Sequence, residues 1–474
     1  MKKVVTCLAL AGAVLPLCAQ ETPAEVEERD PKALQWNGGG DFRVRQEIYD
    51  RLPGANGNIS KYNSYYRMRA RAWGEVKNED FTLYARVADE FREYIRNPYN
   101  RVNGDYGKTP GELVLDNLYL DLRNLFWDRV DLRVGRQDLW YGSGRLVAEG
   151  TAMDGSRTFY FDAVRAIVKF DDKNTLDIFG TYNSPKTFSW GNPHPVGGGE
   201  DLPLNCIEPW STDLAEWGGG LYFKSKEWEQ LPFELYYIYM QKSSYHLLDG
   251  TKMQGRRFNT LGFRVMPKIT DTLSAEIEGA TQYGYKDSGA LVGGQMGYAG
   301  LTYKMQPVVE DIKLRPYSTL AVLYMSGNRR PKHIGDTGDD RSWDPMWGRY
   351  TFLENEMYVY RGIYGVGYWS NLIYPNLKVG CDWSNSRGGK HDIFATFGPM
   401  YAAVRDDIGG GDGNLYGYFL RTRYDFPLLT GFISKEKKRG NLLGHITAEL
   451  LEPGDYCVSD KMAYFFRWEV SVAF

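Results

Sequence analysis

The chain of 474 residues carries 57 Lys and Arg against 60 Asp and Glu, so its formal net charge is only -3, and its mean hydropathy is -0.47. So small a net charge gives no argument for a nucleic-acid partner, and we expect none. The composition includes 35 Tyr, 13 Trp and 53 Gly, while apolar residues at helical spacing are scarce. Aromatic residues and glycine in segments of period-two alternation favour a transmembrane β-barrel over a soluble exported protein.

Residues 1–19 have the layout of a cleaved secretory signal peptide, with a charged start, an apolar core and a small-residue end. Cleavage is predicted after Ala19. Cys18 leaves a lipoprotein as an alternative, although Leu17 is not the small residue that lipidation prefers. Residues 20–40 are predicted to form a short periplasmic lead, and residues 41–474 to form a single barrel domain.

Alternation is clearest in residues 65–77, where Arg67, Arg69 and Arg71 share one face and Met68 lies on the other. The same pattern predicts eighteen strands, with short polar turns mostly alternating with long loops. They cover 41–50, 65–77, 80–95, 113–123, 129–137, 161–170, 175–183, 217–224, 232–242, 257–266, 272–285, 296–305, 314–326, 376–384, 391–404, 415–426, 441–452 and 463–474.

Residues 350–368 also resemble a strand, which would make the number odd. A bacterial barrel with both termini in the periplasm requires an even number of strands. We therefore assign 327–375 to one long outer loop with some structure of its own. A second extra strand nearby would restore the even number equally well.

The last predicted strand places aromatic and branched residues on one face, and the chain ends on Phe474. This resembles the C-terminal signature that outer-membrane proteins present to the barrel-assembly machinery, which we therefore expect as a partner. An ordinary edge strand of a soluble domain is the alternative, but it would expose an aggregation-prone apolar edge.

These patterns predict an all-β fold, a closed antiparallel transmembrane barrel of about 18 strands with long outer loops. We expect it in the outer membrane of a Gram-negative-type cell, in contact with lipid and lipopolysaccharide. A barrel of this size leaves an aqueous channel, and charged side chains at its narrowest point set selectivity.

Arginine suits a channel for carboxylates because its planar fork binds both oxygens and its charge is permanent. The predicted inner face carries Arg43, Arg45, Arg67, Arg69, Arg71, Arg133, Arg165, Arg421, Arg423 and Arg467. Inward carboxylates are also expected, at Glu47, Glu75, Glu90, Asp121, Asp131, Glu276, Glu278 and Glu469. Arginines that pair with them would brace the wall instead of contacting a solute.

The segment 132–165 contains Gly-Arg-Gln, Tyr-Gly, Arg-Leu, an isolated Arg and Phe-Asp-Ala followed by Arg. These residues are Gly135, Arg136, Gln137, Tyr141, Gly142, Arg145, Leu146, Arg157, Phe161, Asp162, Ala163 and Arg165. The pattern resembles the alginate-export family of outer-membrane barrels, and residues 369–380 resemble a second, Asn-Leu element of that family. The family often has an acidic residue after Tyr-Gly, where this chain has Ser143.

The resemblance implies an eighteen-stranded barrel and passive diffusion of an anionic polysaccharide through an arginine-lined constriction. Residues 138–160 form a loop that would fold inward and narrow the barrel. The residues predicted to line the pore or contact the solute are Arg67, Arg69, Arg71, Arg133, Arg136, Arg145, Arg157, Asp162, Arg165, Arg421, Arg423 and Arg467.

The leading functional hypothesis is an alginate-export-type channel for anionic oligosaccharide or polysaccharide, or for small anions. The alternatives are a general porin without strong selectivity, and a barrel enzyme or surface carbohydrate-binding barrel. In the last case tryptophans on the loops would stack on sugars, unless they only pack the loops. The candidates are Trp190, Trp210, Trp343 and Trp347.

Catalytic and metal-binding motifs are scarce. The five histidines form no His-Glu-x-x-His pair, and neither a Gly-x-Ser-x-Gly elbow nor a Walker sequence occurs. We therefore predict no enzyme activity, no catalytic residue, no resident metal and no cofactor. The acidic outer loops 335–344 and 406–414 would suit calcium in their residue types, but they lack EF-hand spacing.

Overall fold

Each of the eighteen segments predicted from period-two alternation overlaps one strand of a single closed sheet. The computed structural model describes residues 32–54, 58–96, 108–148, 161–183, 189–190, 216–246, 252–329, 338–348, 357–360, 370–384, 389–406, 409–432 and 440–474. The predicted signal peptide and most of the predicted lead lie outside these residues. No helix among them is long and apolar enough to cross a membrane.

We number the barrel strands in chain order. They are β1 Gln35–Asp50, β2 Asn63–Lys77, β3 Phe81–Arg96, β4 Lys108–Asn124, β5 Val130–Gln137, β6 Phe161–Lys169, β7 Asn174–Asn183, β8 Glu216–Ser225 and β9 Phe233–Lys242. They continue with β10 Arg256–Val265, β11 Leu273–Lys286, β12 Leu291–Lys304, β13 Arg315–Met325, β14 Leu372–Ser384, β15 Lys390–Tyr401, β16 Leu415–Leu429, β17 Asn441–Pro453 and β18 Ala463–Ala473.

Every strand pairs antiparallel with the next one along the chain, and β18 pairs with β1 from Asp41↔Ala473 to Asp50↔Tyr464, which closes the barrel. The predicted all-β fold is therefore confirmed, and the sheet closes without any strand from 350–368. The largest differences from the predicted boundaries are at the starts of β1, β4, β12 and β14. In β1 the reason is physical, because Gly38–Gly40 have no side chains that could display alternation.

The two ends of the barrel differ in their connections. One end, the turn end, carries the start of β1, the end of β18 and the shorter turns, such as 78–80 and 170–173. The opposite end, the loop end, carries the long connections 138–160, 184–215 and 326–371. The connection 287–290 is short although it lies at the loop end, so the predicted rhythm of turns and loops holds with this exception.

The outward face of the wall is apolar and exposed. Leu118 in β4, Val164 in β6 and Leu320 in β13 are examples, and similar side chains continue around the barrel. The side chains that alternate with them point inward, since successive residues of a strand face opposite sides. An exposed apolar belt around a closed sheet is the surface expected of a wall in contact with lipid.

The inner face has two sectors. The inner positions of β1–β5 and β14–β18 are mostly charged or aromatic. Many of those of β7–β13 toward the loop end are apolar and lie in the main buried cluster of the protein, with polar side chains such as Thr181, Glu216 and Gln282 buried among them. The apolar side chains include Phe179, Ile238, Met240, Phe258, Met296 and Met325. The hydrophobic core therefore lies inside the barrel, where loops must cover this sector.

Candidate functional site

Three described segments of the outer loops lie inside the barrel, and they define the candidate channel. We call them the first inner segment (138–148), the second inner segment (338–348) and the third inner segment (357–360). The first belongs to the connection between β5 and β6. The other two belong to the connection between β13 and β14, which was predicted as one long loop.

The first inner segment leaves the wall partway along it because β5 and β6 are short. They have 8 and 9 residues, whereas β4 has 17. Residues 118–122 of β4 pair with β5, while Leu113 and Val114 pair with residues 189–190 of another loop. The prediction that 138–160 folds inward is confirmed for residues 138–148. The ring of Tyr141 stacks on Tyr222 of β8 at 4.7 Å between centroids.

Arg145 fixes this segment to the inner face of β11. Its Nη1 donates to Glu276 Oε1 at 2.9 Å and to Glu278 Oε2 at 2.5 Å, both on β11. Ser143 Oγ also donates to Glu278 at 2.9 Å. The guanidinium lies 3.8 Å from the ring centroid of Tyr298 on β12. Burial alone would lower the pKa of Arg145, but the two carboxylates outweigh it and raise the pKa above its usual value, so the side chain stays charged.

The second inner segment covers the apolar sector. Trp343, Met346 and Trp347 are buried, and Trp347 contacts Phe161 and Phe179 edge to face. Burying side chains of this size contributes about 1.5–3 kcal/mol each. Neither tryptophan has an open ring face for a sugar, so both pack the loop, as the alternative interpretation held. Trp210 and the side chain of Trp190 lie outside what the structure describes.

Ion pairs add to this packing. Asp344 accepts a hydrogen bond from Lys242 Nζ at 2.9 Å, and Asp340 accepts one from Arg256 Nη1 at 3.1 Å. Both carboxylates belong to the acidic stretch considered for calcium. The described residues contain no group of three or more His, Cys, Asp or Glu placed to hold a metal ion. These two aspartates instead hold the second inner segment to the wall.

Asn371, in the second family-like element, ties the loop end together. Its side chain donates to Val404 O at 2.8 Å and to Asp406 at 2.9 Å, and accepts from Val404 N at 2.7 Å. Its carbonyl accepts from Tyr416 at 2.8 Å. Asp406, in the second acidic loop, is thereby part of a structural network.

Arg133 and Arg165 carry the strongest claim to contact a solute. They lie directly opposite each other on β5 and β6, on the inner face, and their side chains are 29% and 20% exposed. Arg133 donates to Asp121 at 2.6 and 2.8 Å, and Arg165 Nε donates to Asp177 at 3.1 Å. Like charges directly opposite each other on a sheet repel, and here each guanidinium is offset by a carboxylate on a neighbouring strand.

The prediction that Arg136 and Asp162 contact a solute in the pore is wrong by their placement. They lie opposite each other on the same face of the sheet as the exposed Val134 and Val164, which is the outward face. Arg136 Nε donates to Asp162 Oδ1 at 2.8 Å. The pair is therefore a bridge between two strands, outside the lumen.

Arg67 and Arg467 face inward as predicted but are not open to the channel. They are 1% and 0% exposed, and each donates to Glu47, at 3.2 and 2.8 Å. The third inner segment lies beside Arg467, whose guanidinium is 5.9 Å from the ring centroid of Tyr358. The prediction that they contact a solute needs correction in this conformation, because burial leaves no surface for a solute to reach.

The other predicted arginines also lie on the inner wall beside carboxylates. Arg69 and Arg71 contact Asp41 at 3.3 and 2.7 Å. Arg423 donates to Asp425 at 2.8 Å, and Arg421 lies 4.0 Å from Glu449. The expectation that inward carboxylates brace many of the arginines is thus met. Arg157 lies outside the described residues, so its role stays a prediction.

Gly135 in the family-like Gly-Arg-Gln stretch is required by the wall itself. Its φ is +122°, and a Cβ there would lie 2.3 Å from the carbonyl oxygen of Leu118. We expect Gly135→Ala to lower the free energy of unfolding by about 1–3 kcal/mol. Denaturant unfolding in detergent measures this. Gly297→Ala is the control, because nothing lies within 4 Å of its Cβ position. Equal stability of the two variants would contradict the prediction.

Sequence reasoning missed the pair between Arg145 and the two β11 carboxylates, although it had placed all three in the lumen. It also missed the second inner segment. A signal for that segment was present in β9, where Tyr236, Ile238 and Met240 are apolar on the inner face while Leu235 and Tyr237 are apolar on the outer. A strand apolar on both faces needs a cover inside the barrel.

No family model matches the sequence, and no curated protein matches it. Solved structures do match. OccAB1 from Acinetobacter baumannii has a TM-score of 0.51 and 10% identity, over 92% of this chain and 96% of that one. The outer membrane protein opdK from Pseudomonas aeruginosa has a TM-score of 0.51 and 9% identity, over 92% of this chain and 99% of that one. OpdQ from Pseudomonas aeruginosa has a TM-score of 0.50 and 12% identity, over 92% of this chain and 97% of that one. This similarity shows the fold, and the likeness to the alginate-export family stays a prediction.

Proposed function

We propose that this protein is an outer-membrane porin that passes small anionic solutes by passive diffusion. The main support for this proposal is the pair Arg133 and Arg165, which lie opposite each other on β5 and β6. Both side chains face the lumen of the closed eighteen-stranded barrel and are partly exposed. An arginine pair of this kind offers four or more N–H donors to one carboxylate without a change in its own protonation.

The location is supported by the exposed apolar belt of the outward face and by the fold shared with the outer membrane protein opdK. A wall without a free edge satisfies its backbone hydrogen bonds internally, which lipid requires. The predicted signal peptide at 1–19 accords with export. We place the turn end in the periplasm, because the start of β1 and the end of β18 both lie at that end of the barrel.

Small solutes are favoured over a polymer because the inner segments occupy part of the lumen. A structure of OpdK with vanillate shares the fold, at a TM-score of 0.51 and 9% identity. Vanillate is an aromatic carboxylate, so it is a reasonable probe here. The family-like segment 132–165 still supports an anionic oligosaccharide as a second candidate, for which uronate oligomers are the matching probe.

A porin without strong selectivity is the main competing function, since most of the described inner arginines have a carboxylate within 4.0 Å. Paired charges of this kind contribute less field to the lumen than isolated ones. An enzyme or a surface sugar binder has less support, because the loop tryptophans Trp343 and Trp347 are both buried.

The deciding experiment is single-channel recording of the refolded barrel in a planar bilayer, with the reversal potential measured across a salt gradient. Stable conductance steps and a reversal potential of anion-selective sign are expected. A cation-selective sign would overturn the anion proposal and leave a porin. A folded, heat-modifiable barrel without conductance would overturn the channel itself. Current block by vanillate or by uronate oligomers then separates the two classes of solute.

A further inference from the structure

The third inner segment is a short patch that seals part of the inner wall. Met357, Tyr358, Val359 and Tyr360 are each 0–1% exposed. Val359 N donates to Glu449 on β17 at 2.9 Å, and the Tyr360 hydroxyl donates to Ser370 O at 2.6 Å. Both hydrogen bonds are made by residues that follow Tyr358, and they hold the segment against β17 and Ser370.

Tyr358 makes the main contacts with the wall. Its ring stacks on Phe465 of β18, with centroids 3.8 Å apart and planes inclined by 14°. Its hydroxyl lies 3.0 Å from that of Tyr65 on β2, and its centroid lies 5.8 Å from that of Tyr49 on β1. One side chain therefore bridges the three strands at the seam where the barrel closes.

The wall beneath Tyr358 is a cluster of charged groups. Glu47 accepts hydrogen bonds from Arg67 and Arg467 and from the Tyr65 hydroxyl, and Arg45 Nη2 lies 2.9 Å from it. The longer contacts of this cluster are Arg45 to Glu469 at 3.6 Å and Arg67 to Glu90 at 3.5 Å. The Arg467 guanidinium lies 5.9 Å from the ring centroid of Tyr358.

Three of these arginines face the lumen by strand alternation, yet none is more than 1% exposed. Arg45 and Arg67 also lie directly opposite each other on β1 and β2. Arg43 lies 3.9 Å from Glu90 and 3.7 Å from Glu469, so four guanidinium groups share Glu47, Glu90 and Glu469. These groups together carry one more positive than negative charge. A buried excess of charge acts on a permeating ion far less than a water-exposed one that the ion can touch.

We propose that Tyr358 is a specificity-determining residue, which hides Arg45, Arg67 and Arg467 from the solute and so limits the anion preference of the channel. This inference rests on the proposed channel function. The arginines opposed on β5 and β6 then set the selectivity of the covered state. Removal of the Tyr358 ring opens a path from the lumen to guanidinium groups that already lie on the inner face.

The test compares wild type with Tyr358→Ala by single-channel recording and reversal potential in potassium chloride. We expect a larger conductance and a rise of about twofold or more in the chloride-to-potassium permeability ratio, since exposed rings of charge govern selectivity. Tyr358→Phe is the matched control. It keeps the stacked ring and removes the hydroxyl that contacts Tyr65, so its permeability ratio should stay at the wild-type value.

Two further measurements make the outcome unambiguous. Adding Arg467→Gln to Tyr358→Ala should reverse part of the gain, because one of the uncovered charges is removed. A larger conductance with an unchanged permeability ratio would overturn the proposal, since the ring would then only fill space. If Tyr358→Ala does not give a heat-modifiable barrel, Tyr358→Val is measured against the same outcomes. A wild type that does not conduct would overturn the channel function itself, and with it this inference.

Discussion

Replacing Arg145 with alanine is expected to raise the single-channel conductance, by a factor on the order of two if the first inner segment forms the constriction. Arg145 holds this segment against β11 through Glu276 and Glu278, whose oxygens lie 2.9 and 2.5 Å from its Nη1. Removing one partner of a largely buried ion pair costs about 3–5 kcal/mol. The segment then loses its attachment to β11.

The remaining contacts of the first inner segment do not replace this one. Tyr141 packs on Tyr222 of β8, and Arg264 still holds Glu276 at 3.1 Å. Glu278 would keep Tyr236 at 3.2 Å and Ser143 but lose its cationic partner. Noisier current with more frequent transitions between levels should accompany the larger conductance, because the freed segment moves within the lumen.

Arg145→Lys is the matched control, since lysine keeps the charge but not the second contact of the guanidinium fork. Its conductance should lie between wild type and Arg145→Ala. If Arg145→Ala gives a heat-modifiable barrel whose conductance is at or below that of wild type, the constriction lies elsewhere. The second and third inner segments would then be the next candidates.

Neutralising the opposed arginines, Arg133→Gln with Arg165→Gln, is expected to give the largest loss of anion preference. Their side chains are the most exposed of the predicted inner arginines whose exposure the structure gives, at 29% and 20%. The substitution leaves Asp121 and Asp177 without their guanidinium partners, so the local charge becomes negative. The reversal potential should move toward cation selectivity. The affinity of vanillate for the channel, measured by current block, should fall by about tenfold, which corresponds to the loss of a charged contact worth about 1.4 kcal/mol.

Arg136→Gln is the control for this prediction, because it removes the same charge from a neighbouring position that faces outward. Its reversal potential should equal that of wild type, although loss of the bridge to Asp162 lowers stability. A shift of equal size in both variants would show that charge anywhere in the wall matters, and contact with the solute would lose its support. If the reversal potential of the double variant equals that of wild type, Arg71 and Arg423 become the next candidates for the selectivity site.

The strands could be predicted from the sequence because the outward face of the barrel wall is apolar all the way round. Where the inner face is polar, the contrast between the two faces gives period two, so the pattern reports both the strand and its faces. Arg133 and Arg165 were placed on the inner face by this pattern alone. Prediction failed at the start of β1, where three glycines carry no side chain to reveal a face.

Arg136 is an instructive error. Residues 133 and 136 are an odd number of positions apart, so period two already places them on opposite faces of β5. The likeness to a family pattern suggested a pore residue where alternation indicated an outward one. The structure agrees with alternation, and the ion pair with Asp162 explains how two charged groups are accommodated outside the lumen.

By itself the sequence determined the closed barrel, its number of strands and the inward direction of most of its arginines. Only the tertiary structure decided which of those arginines a solute can reach. Tyr358 lies beside Arg467 from a different loop, and Arg145 meets Glu278 of β11, 133 residues away in the chain. Alternation is local and repeats along each strand. The docking of a loop inside the barrel depends on the apolar sector and the ion pairs that many strands assemble together.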